Sequence, residues 1–596
     1  MSKHIGHHDM ALCISTATLN TNLRNVWRSG QDDENFFFNP GANKFDRYAL
    51  PNNKIANKWA VWLRGPEVQG IWKYFAPPMI DDLKNYMETC RKVNRWDQRP
   101  FRDGYFAVLA DLNFPRVNVI EQDGEGKIIL EIHIEKGTIY SEGEWNDQTK
   151  LLHDTTEIEK KDKIKFALEV KLGQEKVTSE HNVLTLTQGG TLQQQKIADF
   201  GIKDKEFSIE AIYLDFKMSD FADYLPEYSH LDLDKNEKTR SHLDTAIKDF
   251  GNTCGEYARN RGKENWSRVP ANTYNILYGL TRKEAGNSTK ALFSPTDIQY
   301  TASYSNKRRC STVNLMMQLD GHPFPEEGAI SDRFRQHLET VLSGNNSSGV
   351  LAINLKEFER KYMPVAAKNL QDSLFEKIDS WHQGQTKIEK SYSEERDEYI
   401  IAWSDKTDAR QEELFCSFKY LSAKQFKGGH NGENEPSSIA LLFELRISAY
   451  GHYVRDKGES FLEFTTEPGY QRIENGQDIQ SKHGVVAAVL KAGASGKVEC
   501  TFELIDNPEV GVKKSQMAPS HEEYIDNNKM ASGFDDFLDR TFTFKEEISP
   551  LDEMVLLPAS GGFMYKDVRL LDEKNEDKDN NLVLFTATFG RQVSQV

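Results

Sequence analysis

The chain has 596 residues and a formal net charge of −17, with 92 acidic against 75 basic side chains. This length exceeds a single hydrophobic core, which stops growing at about 250–300 residues, so two or more structural units are expected. Because the acidic chain is repelled by phosphate backbones and has no long basic run to offset that charge, nucleic acid is excluded as a partner.

The start of the chain and its cysteines indicate the cellular compartment in which the protein is made. The opening MSKHIGHHDMALCIS lacks the charged and then apolar regions of a secretory signal, and nowhere do about 18 apolar residues follow one another. Six scattered cysteines without a CxxC pair are typical of buried, reduced thiols. We therefore expect a soluble protein made in the cytoplasm, and release by a non-classical route stays open.

The first predicted elements are a short apolar strand and a helix. The strand MALCIS runs directly into a segment in which Leu19, Leu23 and Val26 are spaced by four and three residues, and Gly30 ends it. Ser15 or Thr16 is the predicted cap. The polar residues 31–60 are predicted to be loop.

From Phe106 the pattern becomes that of strands. The segments FAVLADLNFPRVNVI, KIILEIHIEKGTIY, KIKFALEVKLG and FSIEAIYLDFKM alternate apolar and polar residues, and Ile212, Leu214 and Phe216 share one face. Such alternation is typical of antiparallel sheets with one wet and one apolar face. A helix with a regular apolar stripe is predicted over 240–262, followed by further strands and a helix capped by Ser331.

The opening arrangement recurs in the middle of the chain. The apolar strand GVLAIN runs straight into a long helix whose stripe includes Phe358, Tyr362 and Val365, with Pro364 inside it, and alternating strands follow. NNSSG at 345–349 is the linker candidate. The pattern predicts an α+β protein with a twofold repeat, a first unit over 1–345 and a second over 346–596.

Local signatures of catalysis are missing from the sequence. It has no HExxH, GxSxG or GxGxxG, and KAGASGKV lacks both the first Gly and the Ser or Thr of a phosphate-binding loop, so it is predicted to be a turn. His4, His7 and His8 with Asp9 are one alternative metal set, but chain termini are usually poorly ordered. DLDKNEKTRSHL at 232–243 begins like a calcium loop but lacks its Gly and its twelfth-position carboxylate, so it is predicted to be a solvated loop. We predict no catalytic residue, no metal and no cofactor.

Three passages resemble a known family. The opening HHDMALCISTATLNTNL, the middle STVNLMMQLDGHPFP with SGVLAINLKEFERKYMPV, and the end VLLPASGGFMYKDVRLL with NLVLFTATF are similar to the tubular lipid-binding (TULIP) superfamily. More narrowly, they resemble the clostridial forty-seven-kilodalton protein family and the orf-X proteins encoded beside botulinum neurotoxins. These passages cover about a fifth of the chain.

The resemblance implies two TULIP-like modules, each a long helix wrapped by a strongly curved antiparallel β-sheet. It also implies lipid binding, contact with anionic lipid headgroups or a membrane surface, and association with other proteins of a toxin, insecticidal or virulence complex. The residues nominated as apolar lining come from periodicity: Leu19, Leu23, Ile212, Leu214, Phe216, Phe358, Tyr362 and Val365.

The sequence leaves three functions open. The first is binding of a lipid or another hydrophobic ligand in an elongated apolar channel. The second is a non-enzymatic scaffold or toxin-complex interaction protein whose modules are solid, since periodicity cannot separate a lined channel from a packed core. The third, ranked lowest, is a hydrolase whose site is assembled from distant residues.

Overall fold

The fold is taken from a computed structural model of the chain. It describes these residues: 3–21, 58–63, 106–113, 116–122, 124–146, 151–176, 207–215, 225–231, 237, 239–245, 247, 275–282, 292–307, 310–325, 330–343, 347–382, 387–406, 410–426, 437–455, 459–466, 473–474, 477–478, 484–493, 496–506, 513–516, 547–548, 563–571 and 581–589.

A six-stranded antiparallel sheet joins the two halves of the chain. In spatial order its strands are β11 (Pro295–Ser303), β12 (Thr312–Leu319), β1 (Met10–Ser15), β13 (Gly349–Asn354), β26 (Leu582–Phe589) and β25 (Phe563–Leu571). We call it the central sheet. The amino-terminal strand β1 therefore pairs with strands that lie about 300 and 340 positions further along the sequence.

Both faces of the central sheet are covered, which is why its middle strands β1 and β13 are apolar apart from their last residues. In β1, Met10, Leu12 and Ile14 belong to the main hydrophobic core, whereas Ala11 and Cys13 belong to a second cluster on the opposite face. Helix α1 (Asp332–Ser343) covers that second face with Phe334, Leu338 and Leu342. A strand buried on both faces reads as a continuous apolar run instead of an alternating one.

The central sheet is arranged symmetrically about its middle pair. On each side of this pair, the two outer strands form a hairpin, and the inner strand continues into a helix. β1 continues into helical residues 16–21, and β13 continues into α2 (Leu355–His382). Both helices start under a polar cap. The Ser15 Oγ accepts a hydrogen bond from the Thr18 N–H, and the Asn354 Oδ1 accepts one from the Lys356 N–H.

The carboxy-terminal half builds a nine-stranded, curled half-barrel sheet. Its strands are β14 (Lys387–Ser393), β15 (Glu398–Lys406), β16 (Arg410–Phe426), β17 (Ser438–Arg455), β18 (Glu459–Thr466), β21 (Gly484–Ala492), β22 (Val498–Asp506), β23 (Lys513–Gln516) and β24 (Glu547–Ile548). The small pair β19 (Ile473–Glu474) and β20 (Gln477–Asp478) stands apart. We call the nine strands the second sheet, and α2 packs against its first two strands, β14 and β15.

The amino-terminal half carries two further sheets. One contains β2 (Lys58–Leu63), β3 (Phe106–Leu112), β4 (Arg116–Gln122), β5 (Glu125–Asn146), β6 (Leu151–Ile158) and β7 (Lys165–Glu169). The other contains β8 (Lys171–Lys176), β9 (Phe207–Asp215) and β10 (Asn275–Arg282). The 22-residue β5 bridges its sheet by pairing with β3, β4, β6 and β7.

Several sequence predictions need correction. KIKFALEVKLG is two strands and not one, since β7 pairs with β5 whereas β8 pairs with β9. The predicted loop over 31–60 ends in a strand, because β2 begins at Lys58, and β11 was not predicted. Ser348, within the linker candidate, is hydrogen-bonded to the central sheet. Its carbonyl accepts from the Ser15 N–H, and its N–H donates to the Ala587 carbonyl.

Other predictions agree with the structure. The Ser331 hydroxyl accepts from the Phe334 N–H at 3.2 Å and caps α1. KAGASGKV is the turn between β21 and β22, closed by a 2.8 Å hydrogen bond from the Gly493 N–H to the Lys497 carbonyl. The helix over 240–262 is helical at 239–245 and 247, and its remainder lies outside the described residues.

The described chain is mostly β-sheet with few helices, which agrees with an α+β class. It contains one long helix, α2, so a pair of modules that each wrap a long helix stays a prediction, as do the bounds 1–345 and 346–596. Among the described residues, the helices are all too short or too polar to cross a bilayer.

Burial along α2 gives a stability prediction. Phe358 is fully buried, so Phe358→Ala should destabilise the protein by about 3–5 kcal/mol through lost apolar transfer and the cavity left behind. The matched control is Lys368→Ala on the exposed face of the same helix, which should change stability by less than about 0.5 kcal/mol. Urea unfolding followed by circular dichroism measures both, and equal losses in the two variants would contradict this packing.

Candidate functional site

The structure brings part of the predicted lining together. Leu19, Phe358 and Tyr362 are fully buried in the main hydrophobic core, and Val365 is half-buried on α2. Of the rest, Ile212 and Leu214 lie on β9, whose side chains are outside the description, and Leu23 and Phe216 lie outside the described residues. Whether these residues contact a ligand stays a prediction.

Side chains fill the interior next to the first turns of α2. The Phe358 ring lies 5.7 Å from Phe293 and 5.2 Å from Tyr362 between ring centroids, and 6.2 Å from Phe585 of the central sheet. Burial, with the Cys500 thiol alongside, holds the pKa of Tyr362 well above its usual value. This end of the helix is a packed core.

Two polar contacts fix α2 against the second sheet. The Tyr420 hydroxyl on β16 donates to the Glu359 carboxylate, and burial together with this contact raises the pKa of Tyr420. About three turns further on, the Gln371 amide donates to the carbonyls of Ser391 and Ile400, each at 2.8 Å. Because buried polar groups need partners, these contacts set the position of the helix as well as its stability.

A line of aromatic rings crosses the second sheet on the face that packs against α2. We call it the aromatic row: Tyr392 on β14, Tyr399 on β15, Phe418 on β16 and Phe443 on β17. Successive ring centroids are 4.8, 5.4 and 6.3 Å apart. Exposure falls along the row from 48% at Tyr392 to 1% at Phe418 and 0% at Phe443.

The exposed end of the row lies at an edge of the second sheet. Strand β14 is its first strand, and Phe375 on α2 is half-buried there beneath the Lys390 ammonium, 4.9 Å from its ring centroid. Lys390 also binds Asp372 on α2. The Tyr392 hydroxyl donates to Asp397 at 2.6 Å, which raises the pKa of Tyr392 to about 12. This edge combines apolar rings with a basic side chain.

Asp9, His322 and Glu357 form a second cluster, which we call the junction cluster. Asp9 precedes β1, His322 follows β12, and Glu357 lies in the first turn of α2. Asp9 is fully buried, and its Oδ2 accepts hydrogen bonds of 2.8 Å from the Leu319 N–H and from the His322 ring. Burial raises the pKa of Asp9, against the lowering effect of these two bonds. One oxygen or nitrogen from each of the three side chains lies within 4.8 Å of the others.

Charged neighbours surround the junction cluster. Asp320, which ends β12 with a φ of 54°, accepts from Arg360 and from Lys361. Burial alone would raise the pKa of Asp320, but these two cations hold it below its usual value. Arg360 also donates to Glu357 Oε2, at 2.9 Å from its Nε.

The structure separates the histidines that the sequence grouped with Asp9. His4 contacts the Ser331 hydroxyl, His8 contacts the Ile5 carbonyl, and His7 is exposed. The partner of Asp9 is His322, 313 positions away. Local spacing carries no signal for that pair, and only the antiparallel pairing of β1 with β12 brings the two together.

Comparison with known proteins gives a distant structural likeness. Neither a protein-family model nor a curated protein matches the chain. Among solved structures, the chain is similar to the crystal structure of P47 of Clostridium botulinum E1, with a TM-score of 0.44 and 9% sequence identity over 98% of this chain and 100% of that chain.

The Glu359–Tyr420 contact gives a testable prediction. Either Glu359→Leu or Tyr420→Phe should destabilise the protein by about 1–3 kcal/mol, because each leaves the other, half-buried partner unsatisfied. The double variant should lose less than the sum of the two, since it removes both polar groups. Melting temperatures measure the cycle, with Tyr304→Phe at an exposed hydroxyl as the control. Strictly additive losses would show that the two side chains do not interact.

Proposed function

We propose that the protein is a non-enzymatic binding protein that holds the acyl chain of a lipid, or another hydrophobic ligand of similar shape, along the aromatic row. The observation that carries the proposal is the continuity of that row from an exposed sheet edge into the core. Tyr392 is 48% exposed, whereas Phe443, three strands away, is fully buried. Large exposed aromatic groups continuous with a core commonly mark binding surfaces.

The row as a whole is about as long as an acyl chain, and its outer part is open without any movement of the inner side chains. Four neighbouring strands span three inter-strand spacings, or about 14 Å. Each methylene removed from water contributes about 0.8 kcal/mol, so ten buried carbons contribute about 8 kcal/mol before the entropic costs of binding. Phe375 and Tyr399 are half-buried, so a chain seated on them removes further apolar surface from water.

The basic side chain at the exposed end suggests where a headgroup lies. Lys390 lies on β14, two residues before Tyr392, and its side chain is 44% exposed. An anionic headgroup at this edge would compete with Asp372 for Lys390. The proposed partners are therefore a lipid with an anionic headgroup, or a membrane surface that presents one.

A solid scaffold is the second candidate, and one observation favours it. The interior beside the first turns of α2 is filled by Phe293, Phe358, Tyr362 and Phe585. A ligand is thus confined to the outer part of the row unless side chains move. On this second proposal the protein binds other proteins of a toxin complex. The family resemblance of the sequence supports that association.

Two equally exposed apolar residues give a matched experiment. Tyr392→Ser removes the outer ring of the row, whereas Leu421→Ser removes an apolar side chain of the same 48% exposure that is not part of the row. Tyr392→Ser should reduce the lipid recovered from purified protein by organic extraction and mass spectrometry, and Leu421→Ser should not. Both variants should melt near the wild-type temperature.

Three outcomes would count against this proposal. Equal lipid recovery from both variants would remove the row as the site. Loss of lipid from Leu214→Arg but not from Tyr392→Ser would move the site to the predicted lining of the first unit. Wild-type protein that yields no lipid under any extraction would favour the solid scaffold.

A further inference from the structure

We propose that the junction cluster is a divalent metal-ion site, with Asp9, His322 and Glu357 as its protein ligands. Two carboxylates and one imidazole are a ligand set for first-row divalent ions such as Zn²⁺ and Mn²⁺. The three residues come from parts of the chain that are 313 and 35 positions apart, so an ion bound here would tie together the start of β1, the turn after β12 and the first turn of α2.

The spacing of the donor atoms matches a coordination sphere. Two ligand atoms at about 2.1 Å from a metal and at right angles lie about 3 Å apart. Asp9 Oδ2 and His322 Nδ1 are 2.8 Å apart, and the Glu357 oxygen lies within 4.8 Å of its partners. A small shift of Glu357 therefore closes the set, and the ion takes the place of the proton that Asp9 and His322 share.

A second observation points to a ligand at this position. Asp9 is fully buried, and its Oδ1 has no hydrogen-bond partner among the described residues. A buried carboxylate oxygen without a protein donor is costly to the folded state, and a bound cation satisfies it. The Asp9 carboxylate can therefore coordinate the ion through Oδ1 or through both oxygens.

The ligands stand on fixed backbone. The Asn354 N–H donates to the Asp9 carbonyl at 2.9 Å, and the Asn354 side chain caps the helix turn that carries Glu357. His322 follows a tight turn closed by a hydrogen bond from its own N–H to the Leu319 carbonyl. Ligands held by secondary structure lose little entropy when an ion binds.

Nearby cations limit the affinity without excluding the site. Arg360 and Lys361 are both engaged by Asp320, and the hydrogen bonds of Arg360 to Glu357 go to Oε2. The side chain of His322 is 34% exposed, which gives an ion a path from solvent and room for water ligands. The aromatic row uses none of these residues, so this proposal does not depend on the proposed lipid site.

Calorimetric titration of the chelator-treated full chain, without a His tag, with Zn²⁺ and separately with Mn²⁺ tests the proposal. We expect one ion per chain for at least one of the two metals. His322→Gln and Glu357→Gln should weaken that binding about tenfold or more, the scale typical of disturbed metal sites. The exposed His7 provides the control, and His7→Gln should leave binding unchanged.

A measurement on the wild-type protein keeps the test independent of folding defects in the variants. The bound ion should protect His322 from diethylpyrocarbonate, as read by peptide mass spectrometry, while His7 stays reactive. Failure of the wild type to take up either ion would overturn the proposal. So would binding that survives in His322→Gln but disappears in His7→Gln, because the ion would then belong to the amino-terminal histidines.

Discussion

The antiparallel pairing of β1 with β13 is the constraint on which the rest of the structure depends. Leu12 pairs with Leu351 at the middle of these two strands. On each side of the pair, the next two strands of the sheet form a hairpin. Because each of the two strands runs into a helix, the pairing also fixes where α2 starts. The packed core, the junction cluster and the strands β14 and β15 that pack against α2 all follow from the start of this helix.

Sequence periodicity predicts what is local in this fold and misses what is long-range. GVLAIN, its helix and the Ser331 cap are confirmed, because apolar spacing and capping chemistry act within a few residues. The Asp9–His322 pair was not predicted, because β-sheet pairing across the whole chain creates it. The division of KIKFALEVKLG between two sheets was missed for the same reason.

Packing differs between the two ends of α2. Its first turns are held by Phe358, Tyr362 and the Glu359–Tyr420 contact, which leave the helix rigid against the sheet. Further along, Phe375 and the outer rings of the aromatic row are only half-buried or exposed. The inner end of α2 is thus packed, and the outer end leaves aromatic surface that the proposed ligand would cover.

The claim that a hydrophobic ligand lies along the aromatic row is tested most directly by photo-crosslinking. A fatty acid carrying a diazirine on a carbon close to its carboxylate is bound to the full chain and irradiated, and the modified residues are mapped by peptide mass spectrometry. We predict adducts on the segments around Tyr392, Tyr399 and Phe375, which line the open end of the row. Adducts confined to other segments, or labelling that unlabelled fatty acid does not compete away, would contradict the account.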